Sequence, residues 1–208
     1  MSLISIDNIN IDQIMSNTGK QTGKDFLMKW TLFTSISFFI GFMFSLGLGY
    51  IFASFVPDLV NLLFGLVIGL TVGYIQWFFL KERIPVSNFW GMASLIGLGI
   101  PFLIAVILDK LGMRVTISDN HPYSYVVAFA AGGFFSALLQ LNLLKSYSSK
   151  SGWWLVVSFI AWGAGTGLVF LVNIGTTIIL RLITGGLLIG IITGSGLIRI
   201  IKKQDQIN

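Results

Sequence analysis

The chain has 208 residues, of which 55% are hydrophobic and only 10% charged, and it carries a net charge of +5. A soluble domain needs about 25% charged residues to solvate its surface, so a globule of this composition must turn much of its exterior toward lipid. With no cysteine and a single histidine, His121, disulfides, thiolate metal centres and a histidine-built zinc or haem site are excluded, and no metal is expected.

Residues 1–25 are polar and read as a cytoplasmic tail. The apolar run that follows, Phe26 to Phe55, is too long for the core of a cleaved signal peptide, so the first span is expected to stay in the membrane. A helix needs about 20 residues to cross a bilayer core of roughly 30 Å. Six stretches qualify, near Lys29–Ala53, Val60–Leu80, Phe89–Leu108, Tyr125–Leu144, Trp153–Val172 and Thr177–Ile201. Tight turns at Val56-Pro57-Asp58 and Asn173-Ile174-Gly175-Thr176 separate two of the pairs. The apolar runs lack two-residue alternation, which argues against strands. The fold expected is all-α, a polytopic membrane bundle of six helices over residues 26–201, with a second cytoplasmic tail at 202–208.

Sorting the basic residues by loop gives an orientation. Lys20, Lys24, Lys29, Lys81, Arg83, Lys145, Lys150, Arg199, Lys202 and Lys203 fall on the side of the amino terminus, and Lys110, Arg114 and Arg181 on the other. Basic residues resist translocation, so both termini are expected in the cytoplasm. Topology accounts for the positive charge, and no nucleic-acid partner is expected.

The chain also resembles itself at an offset of 64 residues. Identical pairs are Gly69/Gly133, Gln76/Gln140, Leu80/Leu144, Lys81/Lys145, Ser87/Ser151, Trp90/Trp154, Ser94/Ser158, Ile96/Ile160 and Gly99/Gly163. Weaker copies extend it: Trp30 with Thr34 echoes Trp90 with Ser94, and Gly186, Gly190 and Thr193 echo Gly69, Gly73 and Gln76. The simplest account is three tandem two-helix hairpins, near residues 30–80, 90–144 and 154–198. Such a repeat is parallel rather than inverted. The pattern G-x6-Q-x3-L-K … W-x3-S-x4-G is similar to that of a group of uncharacterised multi-pass bacterial membrane proteins, many of them cyanobacterial. The likeness covers roughly residues 30–198 and implies no activity, cofactor or catalytic residue. Together with the topology it implies a bacterial cytoplasmic membrane, or a thylakoid.

Small residues recur every four positions in five helices: Gly41/Ser45/Gly49, Gly65/Gly69/Gly73, Ala128/Gly132/Ser136, Ala161/Gly165 and Gly186/Gly190/Gly194, with Gly133 beside the third set. That spacing forms one helix face on which backbones approach closely. Packing within the chain is the leading reading; self-association, or a flat groove for a lipid or pigment ring, is the alternative. Gln76 and Gln140 lie about a turn inside the lysine stops and read as inter-helix hydrogen-bonding amides, with pigment binding or a polar cavity as the sharper idea. Trp30, Trp90, Trp153 and Trp154 open helices and read as interfacial anchors. Arg181 is expected to snorkel from the outer end of the last span, with binding of an anionic group as its functional alternative; Asn61, Asn142 and Asn173 are further polar candidates.

Catalytic patterns are weak. Thr193-Gly194-Ser195-Gly196 is faintly similar to a rhomboid-protease serine motif, but His121 lies in an outer loop. The acids near spans, Asp58, Glu82 and Asp109, stand at helix ends, and no phosphate or dinucleotide fingerprint is present. The outer segment Asp109–Ser124 is the best place for an external contact. The reading is a non-enzyme: an accessory or scaffold subunit of a membrane complex that touches lipid and a membrane-protein partner, or self-associates, without a cofactor. The alternative is a small-solute transporter or channel, or the substrate-binding membrane component of a transporter.

Overall fold

The computed structural model describes residues 11–113, 117, 121–148, 150–172 and 177–201, with side chains from Gly23 onward except Asp58. Among the described residues there are six α-helices: α1 (Ile11–Phe52), α2 (Val60–Leu80), α3 (Phe89–Lys110), α4 (Pro122–Lys145), α5 (Trp153–Phe170) and α6 (Ile178–Ile201). A short 3-10 turn, Pro57–Leu59, leads into α2. All six helices are long and apolar enough to cross a membrane. Only 39–44% of the most apolar stretch of each is buried, so more than half of each stretch keeps some exposure at the bundle surface. The protein is an integral membrane protein with an all-α, six-helix fold.

In hydrocarbon each backbone N–H and C=O must be satisfied within the chain, which a helix does by itself. Proline opens the 3-10 turn and α4, where a missing N–H costs nothing. The end of α3 shows how charge misled the boundary expected at Leu108. The helix runs on through Asp109 and Lys110 and stops at Gly112, whose φ of 79° suits glycine. There the Gly112 N–H donates to the Asp109 carbonyl and the Met113 N–H to Leu108, the double bond of a Schellman stop. The first helix departs further from expectation. It is already helical at Ile11, the first described residue, rather than from near Lys29, so part of the proposed tail is helical. Apolarity sets where a helix enters lipid; it does not set where the helix begins. The qualifying span starts at Gly23.

Each helix packs against its chain neighbours, and α6 closes the set by packing on α1. The result is a ring of alternating up and down helices. The described basic side chains Lys24, Lys29, Lys81, Arg83, Lys145, Lys150 and Arg199 gather at the end holding the start of the first span and the end of α6. We call this the basic end. Lys81 lies over the rings of Trp77 and Phe78, and Arg83 over Phe26.

The interior has two layers. Toward the opposite end it is aromatic: Phe38, Phe42, Phe64, Phe102, Phe129 and Trp162 are buried together. Phe129 stacks on Trp162 at 6.0 Å, and Tyr125 on Phe170 at 4.7 Å. Toward the basic end, Trp30, Trp90 and Trp154 pack with Leu80, Leu144 and Leu197, covered by Ile84 and Val86 of the α2–α3 connection. The Trp77 indole N–H donates to the Val86 carbonyl and the Tyr147 hydroxyl to that of Pro85, which ties the two basic-end connections to the bundle.

Candidate functional site

The glycine faces lie between helices of this one chain. A Cβ on Gly69 would sit 2.5 Å from the Ser94 carbonyl oxygen, and one on Gly65 2.7 Å from that of Leu98, so α2 and α3 touch backbone to backbone. Gly73 faces Ser94 and Gly91 across the same seam. Gly133 meets Trp162 and Ser158 on α5, while Gly132 meets Leu98 on α3. Gly186, Gly190 and Gly194 run along Ser35, Thr31 and Trp30, the seam that closes the ring. The α3 backbone carries a feature the sequence reading passed over: Pro101 removes the amide that would pair with the Gly97 carbonyl, and that oxygen lies against Gly132.

The tryptophans at helix starts do not behave alike. Trp153 is 56% exposed, as an interfacial ring would be, but Trp30, Trp90 and Trp154 are 1%, 0% and 2% exposed. The anchoring expectation fails for these three. An indole buries a large apolar surface and keeps one N–H to satisfy, and here that N–H points into the bundle. Trp154 Nε1 donates to Gln140 Oε1 at 2.8 Å, and Trp30 Nε1 donates to Thr193 Oγ1 at 3.0 Å. The Gln140 amide also donates to Ser94 Oγ at 2.9 Å and to the Trp90 carbonyl at 3.4 Å. One side chain thus joins α3, α4 and α5. Gln76 donates to Thr34 Oγ1 at 3.4 Å, joining α2 to α1.

Together these residues form a buried polar girdle within the bundle, near its basic end. Gln76, Gln140, Thr193, Thr34, Ser94 and Ser158 are all buried. The Trp90 and Trp154 rings sit 5.6 Å apart at its centre. Trp90 Nε1 has no hydrogen-bond partner among the described residues. Chemically the girdle is neutral, made of amides, hydroxyls and indoles. It offers no ionisable group for proton transfer.

Arg181 lies on α6 near the other end, half-buried. Its Nη1 donates to the Val169 and Val172 carbonyls at 3.2 and 3.3 Å, at the C-terminal end of α5. A cation there satisfies acceptors left over by the helix and meets the negative end of its dipole. Replacing Arg181 by Met is therefore expected to cost about 1.5–3 kcal/mol, the range for bonds to a charged group. The measurement is the thermal midpoint in detergent, and an unchanged midpoint would remove this capping role.

The remaining candidates are dispersed. Asn61 Nδ2 donates to the Ile117 carbonyl, pinning the outer connection to the start of α2. Asn142 accepts from Lys145 at the basic end. Asn173 lies outside the described residues, as do Arg114, Asp119 and Asn120 of the outer segment. His121 immediately precedes α4, whereas Ser195 is 17 residues into α6, which runs in the same direction. At 1.5 Å per residue, roughly 25 Å of bundle separates them. Glu82 and Asp109 are exposed at opposite ends. Among the described residues, no group of three His, Cys, Asp or Glu side chains converges on a point.

Comparison with protein-family models, with curated proteins and with solved structures found no match.

Proposed function

We propose that this protein is a non-catalytic accessory or scaffold subunit of a membrane complex. In this reading it is built from three tandem hairpins about a pseudo-threefold axis, with both termini cytoplasmic in a bacterial cytoplasmic or thylakoid membrane. The observation that carries the proposal is the filled centre of the ring. Phe38, Phe102, Phe129, Leu98, Leu182 and Ile189 are fully enclosed, and below them the polar girdle bonds largely to itself. A scaffold needs a rigid interior and a broad outer surface for other spans. Large exposed side chains such as Ile40, Phe44, Phe78, Val127 and Phe159 furnish that surface.

Support for the transporter alternative is thinner. Its supporting features are the internal repeat, the paired glutamines and Arg181, and the last three side chains all donate to atoms of this chain. Energised transport draws on intramembrane acids or broken helices around a midplane site.

The test pairs two measurements on one preparation from native membranes in mild detergent. We expect a membrane-embedded partner at fixed ratio, and no solute flux above empty vesicles once the purified chain is reconstituted. A solitary protein that conducts solute would overturn the proposal.

A further inference from the structure

On the outer face of the bundle, α5 and α6 enclose a groove of about 350 Å³. Val156, Val157, Ile160, Ile191 and Ile192 line it, and Ser195, Gly196, Trp153 and Arg199 lie toward the basic end. Gly196 brings the two helices together there, since a Cβ on it would lie 2.6 Å from Val157 Cγ1. From Ile191 to Arg199 the groove follows eight residues of α6, or about 12 Å of helix. Its walls are aliphatic, and its one charged lining residue is exposed at the membrane-surface end.

Comparison with the first hairpin shows what is particular to this groove. Counted from Trp154 and Trp30, Val157 takes the place of Phe33; counted from Thr193 and Gln76, Gly196 takes the place of Phe79. Phe33 and Phe79 pack ring on ring at 4.2 Å, so aromatic side chains occupy the corresponding position on α1 and α2. In the second hairpin the corresponding pair is Ala93 and Leu143. The rim differs as well. Where the third hairpin has Arg199, the first has Glu82 and the second Ser146. The third hairpin thus lacks the ring pair of the first and carries its cation, Arg199, one position later than Lys81 and Lys145 stand in the other two.

We infer that this groove binds an anionic phospholipid, with an acyl chain along Val156, Ile160 and Ile191 and the phosphate at Arg199. Charge complementarity selects the occupant: an apolar slot opening at the basic end beside a guanidinium suits a chain with an anionic head. The exposed Trp153 indole opens α5 at the same end as Arg199, and such rings prefer the headgroup level. The inference rests on membrane embedding alone and stands apart from the scaffold role.

The test reconstitutes the full chain in bilayers of phosphatidylethanolamine and phosphatidylglycerol, extracts it in mild detergent and counts retained lipids by native mass spectrometry. Phosphatidylglycerol should be enriched roughly fivefold over its share of the bilayer, the factor expected of one basic residue at an anionic surface. Arg199→Gln should abolish the enrichment, whereas Lys81→Gln, which removes an exposed cation from the first hairpin, should leave it intact. Ile160→Trp, at an exposed lining position, should lower retention of both lipids by filling the slot. Equal losses in the two charge variants would overturn the proposal in favour of general surface charge. Retention unchanged by Ile160→Trp, or no enrichment in the parent protein, would overturn it too.

Discussion

Gly69→Leu is expected to prevent assembly of the bundle, while Gly47→Leu on α1 should be tolerated. Both put the same side chain into an apolar helix. The difference lies in what the new atoms meet. At Gly69 a Cβ would reach the Ser94 carbonyl oxygen at 2.5 Å and the Leu95 Cα at 2.9 Å, both backbone atoms of α3 that no rotamer change can move. At Gly47 nothing lies within 4 Å. Overpacking costs 1–3 kcal/mol where side chains can yield, and a backbone seam should exceed about 3 kcal/mol. The readouts are the yield of monodisperse protein and its thermal midpoint in detergent. If the two variants behaved alike, the account of α2–α3 packing would be wrong.

Gln140→Leu should be the most damaging change in the polar girdle, and much worse than Gln76→Leu. Leucine matches glutamine in size but leaves the buried Trp154 N–H without its acceptor and Ser94 without its donor. Each orphaned group costs about 1–3 kcal/mol, so a total of roughly 2–6 kcal/mol is expected. Gln76 makes one long bond, at 3.4 Å to Thr34, and membrane hydrogen bonds of that kind average about 0.6 kcal/mol. The sequence matches the two residues; their surroundings do not. Thermal midpoints of the two variants should therefore separate by several degrees, and equal shifts would show that the bonding asymmetry has no energetic weight.

Much of the architecture could be read from residue order. Stretches such as Val60–Leu80 and Phe89–Lys110 match their expected limits within two residues, because twenty apolar positions bounded by Lys81 or Pro57 admit few other readings. Helix ends decided by backbone geometry were harder. The stop after α3 belongs to Gly112, and α1 is already helical in polar sequence well before Lys29. The girdle was only half legible. Gln76 and Gln140 stood out by their shared spacing, but the partners of the indoles did not, because a tryptophan at a helix start suits a lipid interface equally well. A signal was present all the same. Trp30, Trp90 and Trp154 are each followed four residues later by Thr34, Ser94 or Ser158. An anchor in headgroups has no need of a hydroxyl one turn further into the membrane, whereas a buried donor and acceptor set does. The α5–α6 groove was not visible at all, since it arises from which small residues face each other across two helices.

The closure of α6 on α1 bears on how the protein comes to be made. The Ser35 hydroxyl donates to the carbonyl of Ile183, a residue translated 148 positions later. At 5–20 residues per second the ribosome needs roughly 7 to 30 s to supply that acceptor. Throughout that interval the flank of α1 bearing Thr31, Ser35 and Trp30 has no mate from its own polypeptide. A nascent chain arrested before Gly186 would hold an open arc in the bilayer, its hydroxyl-bearing edge without the α6 backbone that completes it.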